Sequence, residues 1–238
     1  MRVNRKLLYP AAAILAIALA FFALDGCRDR EPEQRKAFIA LLRNTVIDRK
    51  GIALEPLSRA DTKLIGIYAD HFAILYRFQK DAGTVTEKNA RELLALSRHE
   101  NLEALAGAGK TLQRATREAE AVEKAVKAVH AEADAAKAAL KQPEDLAPVF
   151  DAAYAKIVTA PATATATAFA ALKAKFEADM AFIRYVAGHS MDMDIAGNSV
   201  NIKNPGVIED VETRMAEVRA KAAAFDAARE AMRKAASE

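Results

Sequence analysis

A single cysteine, Cys27, leaves the chain without a disulfide framework and without the Cys-x-x-Cys-His string that attaches a haem. Stability must then come from packing. Charge of one sign is also missing: 35 Lys+Arg stand against 32 Asp+Glu. Losing residues 1–26 would remove Arg2, Arg5, Lys6 and Asp25, so the net charge would fall from +3 to +1. No broad basic surface remains to hold phosphates, and nucleic acid is discounted as a partner. No fixed-period repeat is present, which argues against a solenoid. Ser58, Ser97, Ser190 and Ser199 lack a glycine elbow and no Ser-x-x-Lys pair occurs, so nucleophilic catalysis by serine has no footing. His71, His99, His130 and His189 are preceded at three residues by Tyr68, Leu96, Lys127 and Val186, never by the glutamate that a di-iron bundle requires. Zinc ligands are not clustered either, and no metal is expected.

Two further motifs reduce to structure. Gly107-Ala108-Gly109-Lys110-Thr111 contains the Gly-Lys-Thr of a phosphate loop, but Ala104 stands where its first glycine belongs. The preceding Leu93–Leu105 segment has a helical pattern where a buried strand is needed, so a helix break at two glycines is expected and no nucleotide site. Asp192 and Asp194, two apart, read as the solvated face of a strand. Tyr68, Phe72, Tyr76 and Phe78 read as core, and Glu120–Lys124 and Glu123–Lys127 as surface helix pairs.

What is present is a strong amino-terminal signal. Arg2, Arg5 and Lys6 precede an apolar run of 18 residues from Leu7 to Leu24, followed by Asp25, Gly26, Cys27 and then Arg28, Asp29, Arg30 and Glu31. A basic start, an apolar stretch and a small residue before a thiol form the layout of a secretory signal ending in a lipid-attachment site. Cleavage between Gly26 and Cys27 would leave a chain anchored by a diacylglyceryl and an N-acyl group on Cys27. Asp25 departs from the small or apolar residue usual there. The rival is an uncleaved signal-anchor helix in the inner membrane, because 18 residues fall within the range of about 17–25 that spans a bilayer. Arg28 is not the aspartate associated with inner-membrane retention, so the outer membrane facing the periplasm is the expected location. No other cofactor is expected.

Residues 27–238 are expected to form one helical domain, a bundle of long amphipathic helices. Phe38, Leu41, Leu42 and Val46 follow Pro32 at helical spacing to a stop near Gly51. Ser58 with Asp61 resembles a capping box opening a helix that is expected to stop at Gly83, and Thr84 with Glu87 is expected to cap the next. Leu112, Ala115, Ala119, Val122, Val126, Val129, Ala133, Ala136 and Leu140 form a small-residue heptad seam that needs a bulky partner. The last helix, about Val207–Ala236, is a candidate for that partner. Between them a short helix starts at Ala147-Pro148, and the chain is expected to restart at Thr159-Ala160-Pro161. Its Ala/Thr run 162–168 should form a weak first turn or two before Phe169, Leu172, Phe176, Met180, Ile183 and Val186. Met191, Met193 and Ile195, then Gly197-Asn198, then Val200 and Ile202 alternate with period two, which predicts a β-hairpin near residues 191–203.

Four strings carry a resemblance: Glu33–Ile39, Asp70–Tyr76, Ala133–Gln142, and Asp145–Asp151 through Thr159–Ala162. Together they resemble the YiaF-like family of bacterial envelope lipoproteins, a domain of unknown function numbered 3053. The resemblance covers the mature chain and implies export, lipidation and a mainly helical fold; it supplies no catalytic residues. The expectation is a non-enzymatic envelope protein that binds another protein or the cell wall. The alternative is a small-ligand or lipid-binding bundle with the hairpin as a lid over Phe176, Met180 and Ile183. Heptad seams on two helices could serve within one chain or between two, so oligomeric state is left open.

Overall fold

The structure is a computed structural model that describes residues 30–237. Helix α1 (Glu31–Leu42) opens with Pro32 in its first turn and Glu31 and Glu33 beside it, where a missing N–H costs nothing and negative charge suits the helix dipole. It extends through a π turn, Arg43–Ile47. The irregular segment that follows is pinned by Gln79, whose Oε1 accepts the Leu54 N–H at 2.8 Å and whose Nε2 donates to the Ile52 carbonyl. Ser58 then caps α2 (Arg59–Ile65): its Oγ accepts the Asp61 N–H at 3.0 Å and donates to the Asp61 carboxylate at 2.6 Å. Gly66, at φ +53°, ends α2 against the Gln34 side chain.

Helix α3 (Ala69–Leu96) runs straight through Gly83. The expected stop at Gly83 and the Thr84–Glu87 cap are therefore corrected. Thr84 instead donates its hydroxyl to the Lys80 carbonyl at 2.9 Å, a mid-helix bond. One interior glycine costs a helix only ~1 kcal/mol relative to alanine. Phe72, Leu75 and Phe78 on one side of the glycine and Leu93 on the other are all buried, and that burial outweighs it. The break comes later, at 97–101, where Asn101 caps α4 (Leu102–Gly107) by accepting the Ala104 N–H at 2.8 Å. Ala108 separates α4 from α5 (Gly109–Ala138), so the two glycines break the helix as expected. A helix precedes them, not a strand.

Helix α6 (Ala147–Tyr154) passes through a π turn, Ala155–Thr159, into α7 (Ala160–Gly188). The expected restart at Pro161 does not occur. The π turn shifts the bonding register, with the Ala160 N–H donating to the Ala155 carbonyl, and so accommodates a proline that has no N–H to give. The Ala/Thr run is helical throughout.

The alanine seam of α5 is buried at Leu112, Ala115, Ala119, Val122, Val126 and Ala133. Its bulky partner is α7, through Phe169, Leu172 and Phe176. The carboxy-terminal helix α8 (Ile208–Ser237) packs on α7 too, which corrects the expectation that it would face α5. Two small-residue faces would bury little apolar area per turn. Helix α7, carrying the aromatics, lies against both.

A two-stranded antiparallel hairpin, β1 (Met193–Ala196) and β2 (Ser199–Ile202), pairs Met193 with Ile202 and Ala196 with Ser199. Gly197 has φ +58° while no described non-glycine residue has positive φ, the pattern of a type II′ turn with glycine first. The hairpin caps one end of the bundle. Its Gly197 carbonyl accepts the Glu103 N–H at 3.1 Å and its Asn198 Oδ1 accepts the Leu102 N–H at 3.3 Å, satisfying first-turn donors of α4. The fold is thus mainly α with one small hairpin. Among the described residues no helix is long and apolar enough to cross a membrane.

Candidate functional site

Helix α7 carries a buried ion pair on its packed face. Lys175 and Asp179, one turn apart, are 7% and 0% exposed, and Lys175 Nζ lies 2.6 Å from Asp179 Oδ2. His99, from the segment joining α3 to α4, brings Nε2 to 3.9 Å from the same oxygen. Asp179 Oδ1 and His99 Nε2 have no hydrogen-bond partner. Burial, reinforced by the Lys175 ammonium and opposed by Asp179, holds the His99 imidazole below its usual pKa. The group therefore sets a neutral imidazole beside a lysine-neutralised carboxylate. The neighbouring Ser97 donates its hydroxyl to the Leu94 carbonyl at 2.7 Å. Sequence reasoning missed this pair. Its signal was two opposite charges four apart, interrupting the apolar stripe of Leu172, Phe176 and Phe182.

The other histidines serve elsewhere. His71 is enclosed edge-on by Phe38, Tyr68 and Phe150 with centroid distances of 5.9, 5.1 and 5.7 Å, and burial lowers its pKa against the pull of Asp70. His130 meets Phe78 edge-on and lies 3.6 Å from Asp134, whose carboxylate also accepts the Tyr154 hydroxyl at 2.7 Å. His189 stacks on Tyr185 at 4.1 Å. The four are dispersed, and among the described residues no group of three or more His, Cys, Asp or Glu side chains could hold a metal.

The remaining candidates are likewise structural. Asp194 pairs with Lys203 at 2.7 Å and Asp192 accepts from the Asn204 amide at 3.0 Å, so the two aspartates have separate partners. Tyr68, Phe72 and Phe78 are core, and Glu123 pairs with Lys127. The hairpin packs on Tyr185 and Val186, its Ile195 joins the cluster that holds Met180 and Ile183, and Phe176 is fully buried in that cluster. Gly26 and Cys27 lie outside the described residues.

Several clefts border α7, including one of about 310 Å³ between it and α5 at Glu123, Lys127 and Ala166. A cleft of about 190 Å³ between α3, α7 and α8 is lined by Ala90, Leu94, Ala168, Phe169, Leu172 and Phe225 among others. A second, of about 200 Å³, adjoins it at Thr86 and Thr165 and continues along α3 to Phe78. A third, of about 260 Å³, lies nearer the amino end of α8, between Phe182, Met215, Val218 and the hairpin tip at Asn198. Of the residues of α8, Val211 and Phe225 are buried.

A family profile described as "Protein of unknown function (DUF3053)" matches residues 14–233. The uncharacterized protein YiaF of Escherichia coli (strain K12) is 29% identical over 220 residues, covering 91% of this chain and 92% of that protein. YiaF of Shigella flexneri matches to the same extent. No solved structure matches.

Proposed function

The chain belongs to the DUF3053 family of unknown function, and from that starting point we propose that it is a lipid-tethered bacterial envelope protein that acts by binding and not by catalysis. The observation that carries the tether is the apolar run Leu7–Leu24 ending at Gly26-Cys27, directly before a charged segment. Only Arg28 and Asp29 then separate the acylated residue from Arg30, where the helical body begins. Binding is supported by how the reactive side chains are used: Ser58 caps a helix, Ser97 bonds a carbonyl, and the histidines pack against aromatic rings or a buried carboxylate. The long outer faces of α3, α5 and α8 are the surfaces offered to a partner, an envelope protein or the cell wall. The apolar clefts beside α7 favour a second reading, a bundle that takes a small apolar ligand.

The test is the mass of the amino-terminal peptide of the protein purified from membranes. A peptide starting at Cys27 and carrying diacylglyceryl and N-acyl mass is the expected result. An intact Met1 peptide would make the protein an inner-membrane signal-anchored one and would overturn the outer-membrane location.

A further inference from the structure

We propose that the corner between α2 and α3 docks on the bilayer that holds the amino terminus, with Leu64 and Ile67 entering its interface. The proposal rests on the membrane-held reading above and adds how the helical body sits on that membrane.

Exposure comes first. Among the described residues the large apolar side chains left exposed are Leu64, Ile67, Met191 and Ile208. One such side chain by itself is ordinary on a protein surface. Leu64 and Ile67, however, are 59% and 63% exposed and stand on either side of the Gly66 bend. Ala60, also exposed, precedes Leu64 by one turn and so shares its face of α2. Beside that face are the exposed cations Arg59 and Lys63, whose long stems let the charge reach lipid phosphates while the apolar neighbours go deeper. The Asp61 carboxylate is held back by the Ser58 hydroxyl at 2.6 Å. Asp70, exposed one turn beyond Ile67, keeps the corner in the interface and out of the hydrocarbon.

Where the membrane-held segment joins the body decides what this corner meets. Gln34 donates its N–H to the Arg30 carbonyl at 2.9 Å, and its side-chain oxygen accepts the Ile67 N–H at 3.4 Å. One glutamine thus bridges the first described residue to the corner. Tyr68 adds a second bond by donating its hydroxyl to Glu31. The three residue steps from Cys27 to Arg30 reach at most about 11 Å, so the corner is held close to the headgroups. An uncleaved Leu7–Leu24 helix would lengthen the tether to about 22 Å and leave the same corner beside it.

Met191 and Ile208 are elsewhere. They flank the hairpin, which is bonded to the first turn of α4, beyond the far end of α3. Helix α3 alone has 28 residues, about 42 Å at the helical rise. That length exceeds either tether, so the Leu64–Ile67 corner is the apolar surface that the bilayer reaches. Burying the exposed parts of two such side chains favours the docked state on the order of 100-fold.

The experiment uses the full-length protein in vesicles of phosphatidylethanolamine and phosphatidylglycerol, with one nitroxide on Ala60→Cys and access to it measured for oxygen and for a water-soluble nickel chelate. An acylated Cys27 offers no thiol, so the label is alone. Oxygen should reach it and nickel should not, whereas a label on Met191→Cys should meet nickel freely. Adding Leu64→Ser and Ile67→Ser should lower the docked-to-free ratio on the order of 100-fold and open the Ala60→Cys label to nickel, with helicity and melting unchanged; Ile67→Ser alone serves if the pair does not fold. Nickel access at Ala60→Cys without the serines would place the corner in water and overturn the proposal. Exclusion of both reagents would overturn it too, because a partner protein or a second copy then covers the corner. So would lipid contact that survives the serine pair. The amino-terminal peptide mass separates the tether from the docking. If Met1 is intact and Cys27 free, the label goes into a Cys27→Ala chain, and lipid contact there refutes the acyl anchor and upholds the docking.

Discussion

Replacing Lys175 by methionine should strand a carboxylate. Asp179 is fully buried, and Lys175 Nζ at 2.6 Å is the cation beside it. Removing one partner of a buried pair costs ~3–5 kcal/mol because the remaining charge is uncompensated. At 2–4 °C per kcal/mol for a chain of this size, melting should fall by about 6–20 °C. His99, 3.9 Å from Asp179, then faces that carboxylate without the lysine between their charges. In the native protein burial and Lys175 hold the His99 pKa below its unfolded value. The unfolded chain therefore binds more protons as pH falls below ~6.5, and stability is lost there. Without Lys175 the lysine's depression is gone and burial alone, the largest cause, opposes Asp179, so the His99 pKa should move up towards the unfolded value. The stability that His99 loses below ~6.5 then shrinks. The variant should show a shallower pH slope than the native protein between about pH 5 and 8. Thermal unfolding followed by circular dichroism across that range is the assay. Parallel slopes, or a loss under about 1 kcal/mol, would refute the reasoning. The double variant Lys175→Met with Asp179→Leu, which removes both charges, should recover most of the loss.

Gly66→Ala should destabilise the protein by ~1–3 kcal/mol, measured by urea unfolding, because φ is +53° and an added Cβ would come within 2.2 Å of the Gln34 side chain. A neutral result would mean that the α2–α3 corner relaxes freely. Tyr68 is raised to about 12 by burial first and then by its hydrogen bond to Glu31. A group whose protonated form is favoured on folding contributes stability below its unfolded pKa of ~10, lost as pH rises towards 12. Glu31→Gln should move phenolate formation to lower pH in an absorbance titration.

Local rules made several elements legible from residues alone. Period-two alternation around Gly197-Asn198 predicted the hairpin, because strand faces alternate and a positive φ requires glycine at the turn. Ser58 with Asp61 predicted the α2 cap, and the Leu112–Ala133 spacing predicted the buried seam of α5. The errors arise where context overrides local propensity. Gly83 is a breaker whose ~1 kcal/mol penalty is outweighed by burial on both sides, and Pro161 is one whose missing N–H is absorbed by the π turn before it. Lys175 and Asp179 were passed over because a charged pair has no periodic signature of its own; only the fold shows it sealed by the bundle.

By itself the sequence determined the helical class and the hairpin, because these depend on spacing and composition over a few turns. Which helix meets which was decided only in three dimensions. Two alanine-rich faces on α5 and α8 are equivalent as patterns, and it is the volume of Phe169, Leu172 and Phe176 that places α7 against both. The clefts between α3, α7 and α8 follow from that arrangement, since they are the space that small residues on neighbouring helices leave unfilled.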